Sequence, residues 1–198
     1  MLAIMRCEKF DDLAIASRSK LGEAGEALFQ YWSSLPRPGH VPDREDFNPL
    51  QLRRLLPIVS LVEHMEPGVW RIRLIGTEIR SRSGRDLTGL NFLDLLDPAG
   101  RAATARRIGA MISHPCGSWS IRLQRRRSGL EYCVRAVSLP LRDREGRVRL
   151  VIVTNEEIGP GVAIGPRVSA ACSDDQMTLM SHSASGWIDI GAGVPPSI

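Results

Sequence analysis

The side chains able to do chemistry are present in this chain, but not in the spacings that chemistry requires. Four cysteines stand at Cys7, Cys116, Cys133 and Cys172, with no C-x-x-C pair and no cysteine–histidine spacing that suggests a zinc site. They read as reduced, structural thiols. The four histidines, His40, His64, His114 and His182, are scattered. Serine and aspartate are plentiful, yet no G-x-S-x-G elbow, phosphate-cradling glycine loop or H-E-x-x-H helix occurs. With no activated nucleophile and no metal set, the sequence points away from an enzyme.

Arginine is the other chemically loaded residue. It supplies nearly all of the 26 basic side chains, set against 22 acidic ones. Arg122, Arg125, Arg126 and Arg127 crowd one stretch, with Arg53–Arg54, Arg80–Arg82–Arg85 and Arg142–Arg144–Arg147–Arg149 elsewhere. Nucleic-acid binding needs clustered, uncompensated positive charge. Here acids are interspersed and the net charge is only +4. A solvated sheet face, or a surface for an acidic partner, is the preferred reading. A nucleic-acid-associated regulator using that arginine-rich face is the alternative.

The elements that must position these groups follow from hydrophobic period. Gly22–Ser34 places Ala27, Leu28, Tyr31 and Trp32 on one face of an amphipathic helix, stopped by Pro36, Pro38, Gly39 and Pro42. Asn48–Pro49 resembles an N-cap followed by proline, opening a short helix within 46–56 with Leu52, Leu55 and Leu56 inward. Residues 58–65 and 69–75 alternate as strands about Glu66-Pro67-Gly68, which predicts a hairpin. In the second strand Trp70, Ile72 and Leu74 share one face and Arg71 and Arg73 the other. A glycine-punctuated stretch follows, with Gly84 and Gly89 before an apolar cluster from Leu90 to Leu96. Asp97–Pro98 then starts a longer helix, ended by Pro115. Three strands are expected over 117–126, 130–141 and 147–155. In the first, Trp119, Ile121 and Leu123 alternate with Ser120, Arg122 and Gln124.

Length and composition allow one domain with a single core built mainly on aliphatic residues, because only 5% of the chain is aromatic. Residues 1–21 read as an irregular lead, 22–158 as the domain, and 159–198 as a poorly ordered tail rich in Gly, Pro, Ser and Ala. The N-terminal apolar run is too short for a signal peptide and no run is long enough to span a bilayer, so a cytoplasmic location is expected.

In the order of its elements the chain resembles the PAS sensor fold, and in particular short bacterial PAS-like proteins. The resemblance rests on the Tyr31–Trp32 helix, the loop 36–42, Asn48–Pro49 with Leu55-Leu56-Pro57, the run RIRLIGT from Arg71 to Thr77, and Gly84 with Leu87-Thr88-Gly89. It covers roughly residues 25–157. It implies an α+β fold: a five-stranded antiparallel sheet, order 2-1-5-4-3, with helices on one face and the 22–34 helix flanking it. It also implies a cavity on the helix-covered face, which would take a small apolar ligand lined by Trp70, Ile72, Leu74, Ile79, Met111, Trp119, Ile121 and Val134. Leu28, Tyr31 and Trp32 would form an interface to a regulatory protein partner or a second copy. The same residues have an ordinary reading as core.

Two cofactor readings attach to the resemblance. LOV-type PAS domains carry a reactive cysteine after an asparagine, and here Phe92 follows Asn91, which argues against flavin–cysteinyl chemistry. Haem-binding PAS domains often supply a histidine from the longest helix. His114 lies at the end of the corresponding helix, just before Pro115, and a lone histidine there is weak support for haem. The expected function is a noncatalytic sensory or signal-transduction domain acting through protein–protein interaction.

Overall fold

The computed structural model describes residues 20–125, 131–160 and 178–196. Helix α1 is Gly22–Ser34. Strands β1, Val59–Glu66, and β2, Val69–Ile75, form the expected hairpin about Pro67–Gly68. Helix α2 is Thr77–Ser83, and helix α3 is Pro98–Ser113. Strands β3, Gly117–Arg125, β4, Glu131–Arg142, and β5, Val148–Pro160, follow, and β6, Thr178–Ile188, closes the order. Single turns of 3-10 helix at Pro49–Leu52, Leu56–Ile58 and Phe92–Leu95 punctuate the connections.

The caps show why the helices begin where they do. Asn48 accepts the amide of Leu50 ahead of Pro49, and Asp97 accepts the amide of Gly100 at 2.5 Å ahead of Pro98. The expected helix within 46–56 shrinks to two 3-10 turns. The second turn, Leu56–Ile58, carries Pro57 within its first positions, where the missing N–H costs no helical bond.

The sheet is antiparallel with order β2-β1-β5-β4-β3-β6. The expected 2-1-5-4-3 core is present, with a sixth strand added beside β3. The expectation of a loose tail therefore fails over 178–188, where the backbone pairs with β3 from Gly117↔Ile188 to Arg125↔Thr178. Isolated small residues hide a strand from any hydrophobic count. Gly186 shows their use: a Cβ there would come within 2.7 Å of Trp119 Nε1. Residues 1–19, with Cys7, lie outside the described part, as do Cys172, Arg126, Arg127 and the Ser128–Gly129 turn.

Both sheet faces are covered. On one, Val62, Trp70, Ile72, Ala136, Val151 and Val153 pack under Leu87, the Phe92–Leu95 turn and the α3 residues Ile108 and Met111. On the other, Leu61, Val137, Leu139, Leu150 and Ile152 pack against Leu28 and Trp32 of α1, with Val41, Phe47 and Ile190. Gly25 lets α1 come this close, since a Cβ there would fall 2.4 Å from Val137 Cγ2.

Candidate functional site

The strand register decides which side chains face the helices. In β3 and β4 the pairs are Ser118↔Ser138, Ser120↔Ala136, Arg122↔Val134 and Gln124↔Tyr132, while Trp119↔Val137, Ile121↔Arg135 and Leu123↔Cys133 alternate with them. Val137 belongs to the core under α1, so Trp119, Ile121 and Leu123 face that side. The polar set Ser118, Ser120, Arg122 and Gln124 faces α2 and α3. The sequence reading had this inverted, because alternation alone says that two faces differ, not which one is inside.

Of the eight residues expected to line a cavity, five do lie on the helix-covered side. Trp70, Ile72 and Met111 belong to its core, Ile79 lines a cavity there with Ile72, and Val134 faces the same way as its partner Arg122. Trp119 and Ile121 lie on the opposite face. Leu74 is displaced by a bulge: Val62 pairs with Ile72 but Leu61 with Leu74, so Arg73 is an extra residue that turns Leu74 toward the α1 side, 37% exposed. The candidate interface is also used internally. Leu28 and Trp32 are fully buried, the Trp32 indole donating to the Pro140 carbonyl at 2.8 Å. The Tyr31 hydroxyl donates to the Asn48 carbonyl and accepts the Asn48 amide. Helix α1 finds its partner surface on its own sheet.

What the helix-covered face encloses is small, with polar side chains set among apolar ones in its walls. Two adjoining cavities of about 40 and about 30 Å³ share Ser60, Val62, Phe92, Arg122 and Asn155 in their walls. Thr104 and Arg107 of α3, with Ser118 and Ser120 of β3, complete the first. Ile75, Ile79, Leu87 and Leu95 supply the apolar wall of the second. A water needs roughly 10–15 Å³ on this measure, so the space suits a few water-sized groups.

Arginine dominates the electrostatics. Arg122, read from the sequence as part of a solvated face, is only 6% exposed, and its Nη2 donates to Asn155 Oδ1 at 2.9 Å. Burial, with Arg107 and Arg82 nearby, pulls its guanidinium down to about 10, so it stays charged at neutral pH. Arg82, equally buried, donates to the Asn155 carbonyl at 2.8 Å and lies 3.6 Å from both Glu78 and Glu157. Arg107 donates to the Trp119 carbonyl and to Ser185 Oγ, and stacks over Trp187. Asn155 ties the set to β1 by donating to Ser60 Oγ at 3.1 Å.

The cofactor readings meet the same geometry. Phe92 lines both cavities, and neither holds a thiol. Cys133 packs with Ile121 and Leu123 on the α1 side. Cys116 is buried, and its thiol is pushed up to about 11 by burial and by Asp189. A tricyclic flavin does not fit a space of about 40 Å³. His114 is the C-cap of α3, its Nε2 buried and without a hydrogen-bond partner among the described residues. It lines neither cavity, so these residues do not fit haem. Among the described residues no cluster of His, Cys, Asp or Glu could hold a metal ion.

A six-stranded antiparallel sheet with helices enclosing a cavity on one face defines the class as an α+β domain. The PAS domain family model matches residues 22–153, and the chain belongs to that family. No curated protein matches it in sequence. Among solved structures it is similar to the light-state LOV domain of the blue-light photoreceptor Aureochrome1, at 16% identity and a TM-score of 0.42, covering 54% of this chain and 84% of that one. It is also similar to an RNA-binding Light-Oxygen-Voltage receptor, at 19% identity and a TM-score of 0.44, covering 62% of this chain and 35% of that one. No helix among the described residues is long and apolar enough to cross a membrane.

Proposed function

We propose that this chain is a noncatalytic regulatory PAS domain that acts by binding a partner protein or a second copy of itself, with the affinity set by what occupies the helix-covered cavity. The observation that carries this reading is the set of buried polar groups gathered there. Arg122 Nε and Thr104 Oγ1 have no hydrogen-bond partner among the described residues, and buried polar groups are rarely left so. Idle donors in a closed cavity support reading it as a ligand site.

Strand β5 offers a route from cavity to surface. Asn155 faces the cavity. The next residue, Glu156, faces the other side, where it pairs with Arg135 at 3.4 Å beneath the start of α1. Glu156 also borders an open groove of about 710 Å³ floored by Ala24, Ala27, Leu52 and Leu55. A ligand that draws Asn155 inward shifts the Glu156 side of the same strand, and with it the groove. Coupling of this kind is a population shift between two packings. Both sheet faces are occupied by the chain's own helices, so partner contact falls to this groove and to the sheet edges β2 and β6.

Sedimentation velocity over a concentration series, together with affinity capture from the source cell extract, tests the reading. Reversible self-association or one stoichiometric partner is expected. A monomer at all concentrations that captures nothing would sink it. The nucleic-acid reading is less favoured, because Arg142, Arg144 and Arg147 are paired to Asp43, Glu45 and Asp143 and Arg122 is buried.

A further inference from the structure

The charge around the helix-covered cavity is unbalanced. Arg107 and Arg122 line it, and no carboxylate does. Arg82 stands behind Asn155, sharing that residue with Arg122, and is the member of the trio with acids at ion-pair distance. Arg107 and Arg122 have no ion pair among the described residues. Burial lowers both guanidiniums, and for Arg122 the neighbouring Arg107 and Arg82 push in the same direction. A buried cation persists only where a counter-charge and hydrogen bonds offset its lost hydration. Water could satisfy the idle donors but would leave the charge.

Two unpartnered groups lie in this lining and are more than nine-tenths buried: Arg122 Nε, in a residue 6% exposed, and Thr104 Oγ1, in a residue 4% exposed. They come from opposite walls, β3 and α3. A guanidinium N–H and a hydroxyl are donors suited to one acceptor, and guanidinium suits planar or tetrahedral oxyanions in particular. We propose that this cavity binds a small oxyanion, the carboxylate of a small organic acid or an inorganic oxyanion, held by Arg122, Arg107 and Thr104. The space of about 40 Å³ admits the anionic head and few further atoms. This rests on reading the cavity as the ligand site of the domain, and replaces an apolar ligand with an anionic one.

Thermal melting and calorimetric titration of the full chain, desalted and then exposed to formate, acetate, phosphate or sulfate against chloride of equal ionic strength, test it. At least one oxyanion raises the melting temperature saturably, as a ligand that binds only the folded state must, and chloride does not. The carboxylate and inorganic arms show which source of the shared chemistry the site prefers. Arg122→Gln and Thr104→Val each weaken that oxyanion's binding, by about tenfold or more for the arginine. Thr104→Val is nearly isosteric, so it keeps the test open if Arg122→Gln does not fold. No oxyanion exceeding chloride, or an oxyanion response unchanged in the folded variants, overturns the proposal. Self-association or partner capture without any oxyanion effect would overturn the ligand class alone. An oxyanion effect in a solitary monomer would overturn the regulatory reading alone.

Discussion

Arg122 sits in a strand whose alternation made it look solvent-facing, yet it is buried against α3. The signal that could have placed it runs across strands rather than along one. Ser118 and Ser120 align with Ser138 and Ala136, and Val153 and Asn155 continue the row, so a small and polar stripe crosses three strands. Register is needed to see it, and register is not written in a single strand. Other residues were legible singly: Asn48 and Asp97 cap as their types suggest, and Phe92 lies in the cavity wall. The buried Cys116 gives a direct prediction. With its thiol pushed up to about 11, only about one in a thousand is ionised at about pH 8, so it should resist iodoacetamide in the native state and react on unfolding. Native alkylation at the rate of a free thiol would contradict its placement. His64, whose ring lies 4.9 Å from that of Trp70, titrates below its ordinary value because of burial and the nearby Arg149. A depressed value contributes stability that is present above about pH 6.5 and lost as the pH falls. His64→Gln should therefore lose less stability than the native chain between about pH 7 and about pH 5, measured by urea titration at each pH.

Among the elements, α1 was read correctly in extent and wrongly in purpose. Its apolar stripe predicted a partner surface but could not say whose. Tertiary packing answers that: Leu28 and Trp32 are buried in the chain's own core, against a sheet face whose residues looked equally able to stand alone. Trp32→Ala should cost about 3–5 kcal/mol, from the cavity left and the lost bond to Pro140, read as a lower denaturation midpoint. Replacing Gly25 by leucine should lift α1 from the sheet, because even a Cβ would meet Val137 at 2.4 Å. An unchanged midpoint in both variants would show that α1 is not docked. The β2 bulge was beyond sequence reading for a similar reason. Arg73 looks like an ordinary outward residue, and only pairing with β1 reveals that it is the extra one.

At the scale of the molecule, the element order and the central five strands were legible because period, proline and glycine agree along 22–158. The sixth strand was not, since Thr178–Ile188 carries small residues where a strand signal needs large ones. Its role is to cover β3, whose outer edge would otherwise present unpaired backbone groups, and to bring Trp187 onto the α3 side. A chain ending at residue 160 should melt at lower temperature and associate nonspecifically, as followed by melting and light scattering; unchanged melting would mean that β6 adds nothing. With both faces of the sheet covered, the cationic cavity gathers two of the buried polar groups left without a partner among the described residues, Arg122 Nε and Thr104 Oγ1. Diffraction from crystals grown with selenate, at a wavelength where selenium scatters anomalously, examines it most directly. The account predicts an anomalous peak between Arg122, Arg107 and Thr104; peaks confined to exposed arginines, with none in the cavity, would contradict it.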